Sequence, residues 1–432
     1  LKVVFIGAGS YVFGPSVLAQ TYLEEHLQNV HLALVDPDLV TIELLAPVGK
    51  RMASEHQVST TITTHTNRAE ALKDADFVIC SASPQMQSRT ATDWSIIDRY
   101  LPGHQKSEFG GIAGISYSLR QIELLTSIAD DMHRLCPDAW LLDVSNPLPR
   151  VAQAAAEHGI KTAGFCVVSV SVYGMLWEIF YGQQIPFPYN EARRQWNLTT
   201  AGVNHLAWLL ELRGRDSGID LQPQLREIAK QGRTVSGNPV SLNLLNETGY
   251  LLTPGDEHTQ DFLTPSADSP KSDHSPWHGN SEQRQQRLDL LRRIGDGDVS
   301  WDNLLIGAAW EKPMQFIRAL IGGDPAEFHS MNLRNDKYQV SNLPAHVFVE
   351  TPCRVTAGRV QPQFVTLPES VLPLCERTVR VTDTIVRAAE KRSLSLVHEA
   401  VLLDPTVLDK AAGLTAIDAC IHAHSDILPL YA

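Results

Sequence analysis

Two glycines and one distant acid carry the most legible chemistry in this chain. Gly7-Ala8-Gly9 closes an apolar run, Val3-Val4-Phe5-Ile6, and precedes a helical pattern. The first glycine of such a loop permits the tight turn. The second lets a pyrophosphate approach the backbone, and the unpaired N–H groups of the next helix face the phosphates. Ser10 belongs to the same loop. Asp36 ends the run HLALVD, where an acid commonly bonds the adenosine ribose hydroxyls. Its carboxylate would repel a 2′-phosphate, so NAD is expected rather than NADP. The third glycine of G-x-G-x-x-G is absent: Val12 stands there, and Gly14 follows two residues later. A bare G-x-G also occurs in ordinary turns, so the reading rests on the order of strand, glycines, helix, strand and acid.

The elements that must hold this loop alternate in the manner of a parallel sheet. Lys2–Ile6, His31–Asp36, Thr60–Thr64, Phe77–Ser81 and Trp140–Val144 read as strands. Pro15–Leu23, Val40–His56 and Ser118–Leu135 read as amphipathic helices between them. Apolar runs near Lys161–Cys166 and Leu198–Val203 extend the series, with a helical Ser171–Phe180 between them. The predicted fold is α/β: an N-terminal Rossmann-type, doubly wound parallel sheet over residues 1–205, followed by a mainly helical α+β substrate and oligomerisation domain over 206–432. Ser281–Ile294, Val379–Leu396, Ser395–Val401 and Ala411–Ser425 read as helices of that second part. Residues 264–280 are polar, turn-rich and aperiodic, which suggests a surface loop or lid.

Composition bounds the partners. The 432 residues carry a formal net charge of −13 and no basic run, which disfavours nucleic-acid backbones. No apolar stretch is long enough to cross a membrane, and the first residues read as a core strand, so no signal peptide is expected. Six scattered cysteines without a C-x-x-C pair fit reduced thiols in the cytoplasm.

Further landmarks follow in order: IGAGS at the start, SNP at 145–147, GFC at 164–166, VNH at 203–205, TGYLLTPGDEH at 248–258, NLRNDKYQVSNLP at 332–344 and LLDP at 402–405. Across nearly its whole length the chain resembles glycoside hydrolase family 4, the NAD- and metal-dependent glycosidases. That resemblance implies an exception to two-carboxylate glycoside hydrolysis. NAD takes a hydride from the sugar's C3, a base removes the acidified C2 proton, and the C1–O bond breaks by elimination. Water then adds and the hydride returns. A divalent metal, commonly manganese, holds the C2 and C3 oxygens.

The resemblance also implies roles for particular residues. Cys166 and His205 match the metal ligands, each after a predicted strand, and a thiolate and an imidazole suit a divalent first-row metal. Asn146, before Pro147, matches a substrate-binding amide; Asn204 is a second candidate for that work. Tyr250 matches the segment that supplies the C2 base, with Asp256 as the reserve catalytic carboxylate and His258 beside the sugar. One departure stands out. The family usually shows His, Asn or Asp after the metal cysteine, to contact the sugar or protonate the leaving group; here that residue is Val167. Either the acid comes from elsewhere, or the leaving group needs little help, or the standard activity is lost.

The expected substrate is a small carbohydrate. Glu257 in PGDEH is a poor neighbour for a phosphate, which favours an unphosphorylated hexose or a uronic acid, with Arg334 and Lys337 as possible carboxylate partners or as solvated surface charges. Two other readings stay open: a lactate/malate-type 2-hydroxyacid dehydrogenase, and a sugar or nucleotide sensor motivated by Val167. A homodimer or homotetramer is expected from the resemblance.

Overall fold

A computed structural model describes residues 1–10, 13–27, 29–232, 238–265, 281–304, 311–428 and 431. Its strands are β1 (Lys2–Ile6), β2 (His31–Val35), β3 (Thr61–His65), β4 (Phe77–Cys80), β5 (Trp140–Asp143), β6 (Lys161–Gly164), β7 (Trp196–Val203), β8 (Leu206–Gly214), β9 (Leu251–Leu252), β10 (Ala326–Arg334), β11 (Phe348–Thr356) and β12 (Arg359–Pro362). Among the described residues they form one sheet in the order β3-β2-β1-β4-β5-β6-β10-β11-β7-β8-β9, with β12 paired to β11. The six-strand section β3 to β6 is parallel. From β10 onward the pairing is antiparallel.

The parallel section is buried on both faces, as helical crossovers require. Val3 and Phe5 of β1, Leu32 and Leu34 of β2, and Phe77 and Ile79 of β4 point into one apolar cluster. Their neighbours Val4, Ile6, Ala33, Val35, Val78 and Cys80 point into the other. This period of two, with both phases apolar, is why these runs read as strands in the sequence. The helices Phe13–Leu23 and Leu39–Glu55 cover the first face, and Gly111–Leu135 covers the second.

The second half shares this sheet. Residues read mainly as helical after 206 contain β8 to β12, which continue the sheet past β6. Their polar residues, such as Glu350 and Asn332, broke the apolar run in the sequence, but lie buried inside the sheet. Helices of the second half also pack back on the first. Helix Ser281–Asp296 and the loop after it lie against helix Leu39–Glu55, where Arg51 Nη1 donates to the Ile294 and Val299 carbonyls at 2.7 Å each. Arg318 reaches Glu24 at 2.9 Å. Helices Leu372–Lys391 and Lys410–Ala423 complete the core over Gly111–Leu135. The segment 264–280, read above as a loop or lid, lies outside the described residues from 266 onward, as does Val12. No described helix is long and apolar enough to cross a membrane.

Candidate active site

The glycine loop is built by steric exclusion. Gly7 has φ +87°, and a Cβ there would meet the Ala82 nitrogen at 2.7 Å. At Gly9 a Cβ would meet the Asp36 carboxyl carbon at 2.6 Å. The Gly9 N–H donates to Asp36 Oδ2 at 2.9 Å, and the Asp38 N–H donates to Oδ1 at 2.8 Å. Burial raises the Asp36 carboxyl above its ordinary range, against these two N–H groups. Ser10 Oγ accepts the Phe13 N–H at 3.2 Å, at the entrance of helix Phe13–Leu23. Gly14 takes over the work of the missing third glycine: a Cβ on it would meet the Ala8 carbonyl oxygen at 2.4 Å, so its absence lets helix and strand approach.

Cys166 and His205 meet. Cys166 follows β6 and His205 occupies the two-residue turn between β7 and β8, since Val203 pairs Leu206 across that hairpin. A register row crosses the sheet just beneath them: Gly164 faces Asn332, Asn332 faces Glu350, and Glu350 faces Gly202. The row brings two chain positions 39 apart to a Cys166 Sγ to His205 Nε2 distance of 3.3 Å. The His205 ring is clamped between Phe109, with centroids 4.4 Å apart, and His258, at 4.8 Å. Burial, then the carboxylates Glu350 and Glu311, push the Cys166 thiol above its ordinary range.

Asn204 is buried, and its Nδ2 donates to Glu350 Oε2 at 2.8 Å in the interior. Ser169, from the loop after Cys166, bonds Ser330 at 2.7 Å in the same polar cluster. Val167 packs at the edge of an apolar cluster with Val170, Tyr173 and Trp196. Asn146, at the exit of β5, donates from Nδ2 to Glu108 Oε2 at 2.8 Å. Glu108 was not singled out in the sequence, where it sits in an unpatterned HQKSEFGG stretch. Burial raises its carboxyl to about 7, against the bond from Asn146. Its proton therefore stays on in the fold after the unfolded chain has lost its own near 4.5. The contribution of Glu108 to stability is greatest below about 4.5 and falls as pH rises towards 7. Glu108→Gln should flatten the melting temperature across that window by one group's share, while an unchanged slope would count against a buried neutral Glu108.

Tyr250 precedes β9 and packs with Val203, Leu206 and Leu252. The Arg226 guanidinium lies over its ring at 5.3 Å, and Arg226 Nε donates to the Gly249 carbonyl at 2.8 Å. His258 touches the His205 ring edge-on and has Glu257 within 3.8 Å.

Asp256 is engaged elsewhere. Its carboxylate accepts the Val240 N–H at 2.6 Å, the Ser241 N–H at 2.8 Å and the Ser241 hydroxyl at 2.6 Å. These groups form the first turn of helix Pro239–Thr248, so Asp256 holds that helix by its N-terminus. Asp256→Ala should lower unfolding free energy by about 2 to 4 kcal/mol, because it strands charge-assisted donors in the interior. Denaturant unfolding beside kcat per folded molecule checks this. Unaltered stability with lost turnover would instead make the carboxylate a direct participant.

Arg334 and Lys337 line a surface depression together with Lys161, Thr162 and Trp140, at the entrance of β5 and β6. Cys166 lies at the exit of β6, so these two cations are on the far edge of the sheet from the Cys166–His205 pair.

Comparisons with known proteins identify the family. The model of the Family 4 glycosyl hydrolase matches residues 2–180, and that of the Family 4 glycosyl hydrolase C-terminal domain matches residues 200–407. The chain belongs to family 4 of the glycosyl hydrolases. It is 29% identical to an alpha-galactosidase of Bacillus subtilis (strain 168) over 100% of this chain and 99% of that one. It is 24% identical to an alpha-galacturonidase of Thermoanaerobacter italicus, over 94% and 92% of the two chains. The fold is similar to a 6-phospho-alpha-glucosidase from gut microorganisms, solved in complex with NAD and Mn2+. The TM-score is 0.78 at 19% identity, over 99% of this chain and 98% of that one. A malate dehydrogenase of Plasmodium falciparum gives 0.52 at 14% identity over 92% and 100%, which reflects the shared nucleotide-binding fold.

Glu108, Glu311, Asn332 and Glu350 also neighbour these residues in the structure. For Glu350 a signal existed: a carboxylate inside the apolar run VFVETPC. Asn332 is the first residue of the run NLRNDKYQVSNLP, where nothing local marks it as buried. Nothing local distinguished Glu108 or Glu311.

Proposed function

We propose that this protein hydrolyses O-glycosidic bonds of an unphosphorylated hexose or a uronic acid, with NAD and a divalent cation such as manganese as its cofactors. The observation that carries this is the convergence of a thiol and an imidazole 3.3 Å apart at the same edge of the sheet as the glycine loop. When bound, the nicotinamide supplies reversible oxidation at the sugar's C3, and the cation supplies Lewis-acid stabilisation of the neighbouring oxygens.

The residues fit both groups. Gly7 and Gly9 leave a cradle that a Cβ would fill, and Asp36 lies beside it for the ribose hydroxyls. Cys166 and His205 supply sulfur and nitrogen donors suited to a first-row divalent ion. No third His, Cys, Asp or Glu joins them among the described residues, which leaves coordination positions for sugar oxygens and water. Phe109 and His258 hold the His205 ring in place and shield it from solvent. Asn146 presents its amide at the β5 exit, in place to bond sugar hydroxyls. Tyr250, with its ring under Arg226, takes the C2 proton, and Asp256 positions the segment that carries it.

The halves 1–205 and 206–432 serve as nucleotide side and substrate side. The six cysteines are free thiols, which supports a cytoplasmic setting. The partner is a small carbohydrate rather than nucleic acid, and further copies of the chain form a homodimer or homotetramer.

A panel of α- and β-nitrophenyl hexosides, uronides and 6-phosphohexosides, supplied with NAD, manganese and a thiol reductant, tests the reading. Turnover of an unphosphorylated substrate that disappears with chelator is expected. Preference for a 6-phosphosugar would correct the substrate class, and no turnover by folded, NAD-bound protein would overturn the reading.

A further inference from the structure

We propose that Glu311 donates the proton to the departing glycosidic oxygen, the work that Val167 cannot do. The inference rests on the glycosidase reading above. Glu311 stands between the two cofactor sites. Its backbone carbonyl accepts a hydrogen bond of 2.7 Å from Gln20 Nε2, on the helix that follows the glycine loop. Its carboxylate faces the backbone N–H of Val167, the residue next to Cys166, and acts electrostatically on the Cys166 thiol. The carboxyl oxygen Oε2 is sealed from solvent and has no hydrogen-bond partner among the described residues. An unpartnered carboxyl oxygen beside the reacting centre is costly unless a ligand completes it. Burial raises this carboxyl above its ordinary range, against the N–H groups of Glu311 itself and Val167.

Neighbouring carboxyls are less suitable. Glu350 is fully enclosed in the sheet and bonded to Asn204, and Asp261 is 4% exposed. Glu108 is held by Asn146. Glu350 Oε1 and Asp261 Oδ1 lack a partner as well, but both residues are enclosed, whereas Glu311 is only part-buried as a residue although its Oε2 is sealed.

The step balances without a further reactant. The base takes the C2 proton, and the electron pair of that C–H bond forms the C1–C2 double bond. The C1–O pair leaves on the glycosidic oxygen, which takes the proton of the Glu311 carboxyl and departs as an alcohol. When water adds across the double bond, its hydroxyl goes to C1, C2 recovers a proton from the base, and the water's remaining proton returns to the Glu311 carboxylate.

Glu311→Gln tests this, with methyl and nitrophenyl glycosides of the same sugar compared in D2O. Expected is a loss of about 100-fold or more in kcat on the methyl glycoside, and a loss under about threefold on the nitrophenyl one, whose leaving group needs no proton. Deuterium should still enter C2 of unhydrolysed methyl glycoside, because oxidation and deprotonation precede departure. Calorimetric NAD and manganese affinities should match the unmodified protein. Equal losses on both glycosides, loss of C2 exchange, or weakened cofactor binding would each overturn the proposal while leaving the glycosidase reading intact. An unmodified protein that hydrolyses neither glycoside would remove that reading, and this proposal with it.

Discussion

Cys166→Ser should lose manganese binding and, with it, about 10³-fold or more of glycoside turnover, since a Lewis acid contributes several kcal/mol to such a step and each 1.4 kcal/mol is about tenfold. Serine keeps the shape but replaces a soft donor with a poorly ionised hydroxyl. His205→Ala removes the second donor and should lose turnover equally. It also removes the ring stacked on Phe109 and His258, so its stability falls as well, and Cys166→Ser is the cleaner variant. Electron paramagnetic resonance of free manganese, titrated with protein, reads the affinity directly. Unchanged manganese affinity in Cys166→Ser would place the cation elsewhere. The double variant should be little worse than either single one, because two residues that share one ion act as a unit.

Gly9→Ala should weaken NAD by about 100-fold, roughly 2.8 kcal/mol. The added methyl group would fall 2.6 Å from the Asp36 carboxyl carbon, so either the loop or the acid must move. Both routes break the bond between the Gly9 N–H and Asp36 Oδ2 and spoil the place where the ribose and pyrophosphate meet. Fluorescence titration with NADH measures the affinity, and thermal melting without nucleotide separates it from unfolding. Gly7→Ala would not separate them so well, because its φ of +87° adds backbone strain to the clash with Ala82. An unchanged NADH affinity in Gly9→Ala would mean that this loop does not hold the nucleotide.

Much of the first half was legible because its signals are local. Both phases of β1, β2 and β4 are apolar, so each strand declared itself and its burial within a few residues. Glycines and an acid at strand ends likewise report backbone geometry at their own positions. The second half misled where burial and polarity part company. β10 and β11 carry Asn332 and Glu350 in the sheet interior, and Asn204, which donates to Glu350, lies 146 positions away in the chain.

The amino-acid sequence by itself determined the NAD-type entrance and the family, and offered Cys166 and His205 as donors, because each depends on residue type and order along the chain. Only the tertiary structure decided which side chains are free to act. It engaged Asp256 at a helix N-terminus, turned Asn204 towards Glu350, carried Arg334 and Lys337 to the far edge of the sheet, and set Glu311 beside Val167. The physical reason is the same in each case. A polar side chain's role depends on which hydrogen-bond and charge partners already engage it, and those partners come from residues that the fold, not the sequence order, places next to it.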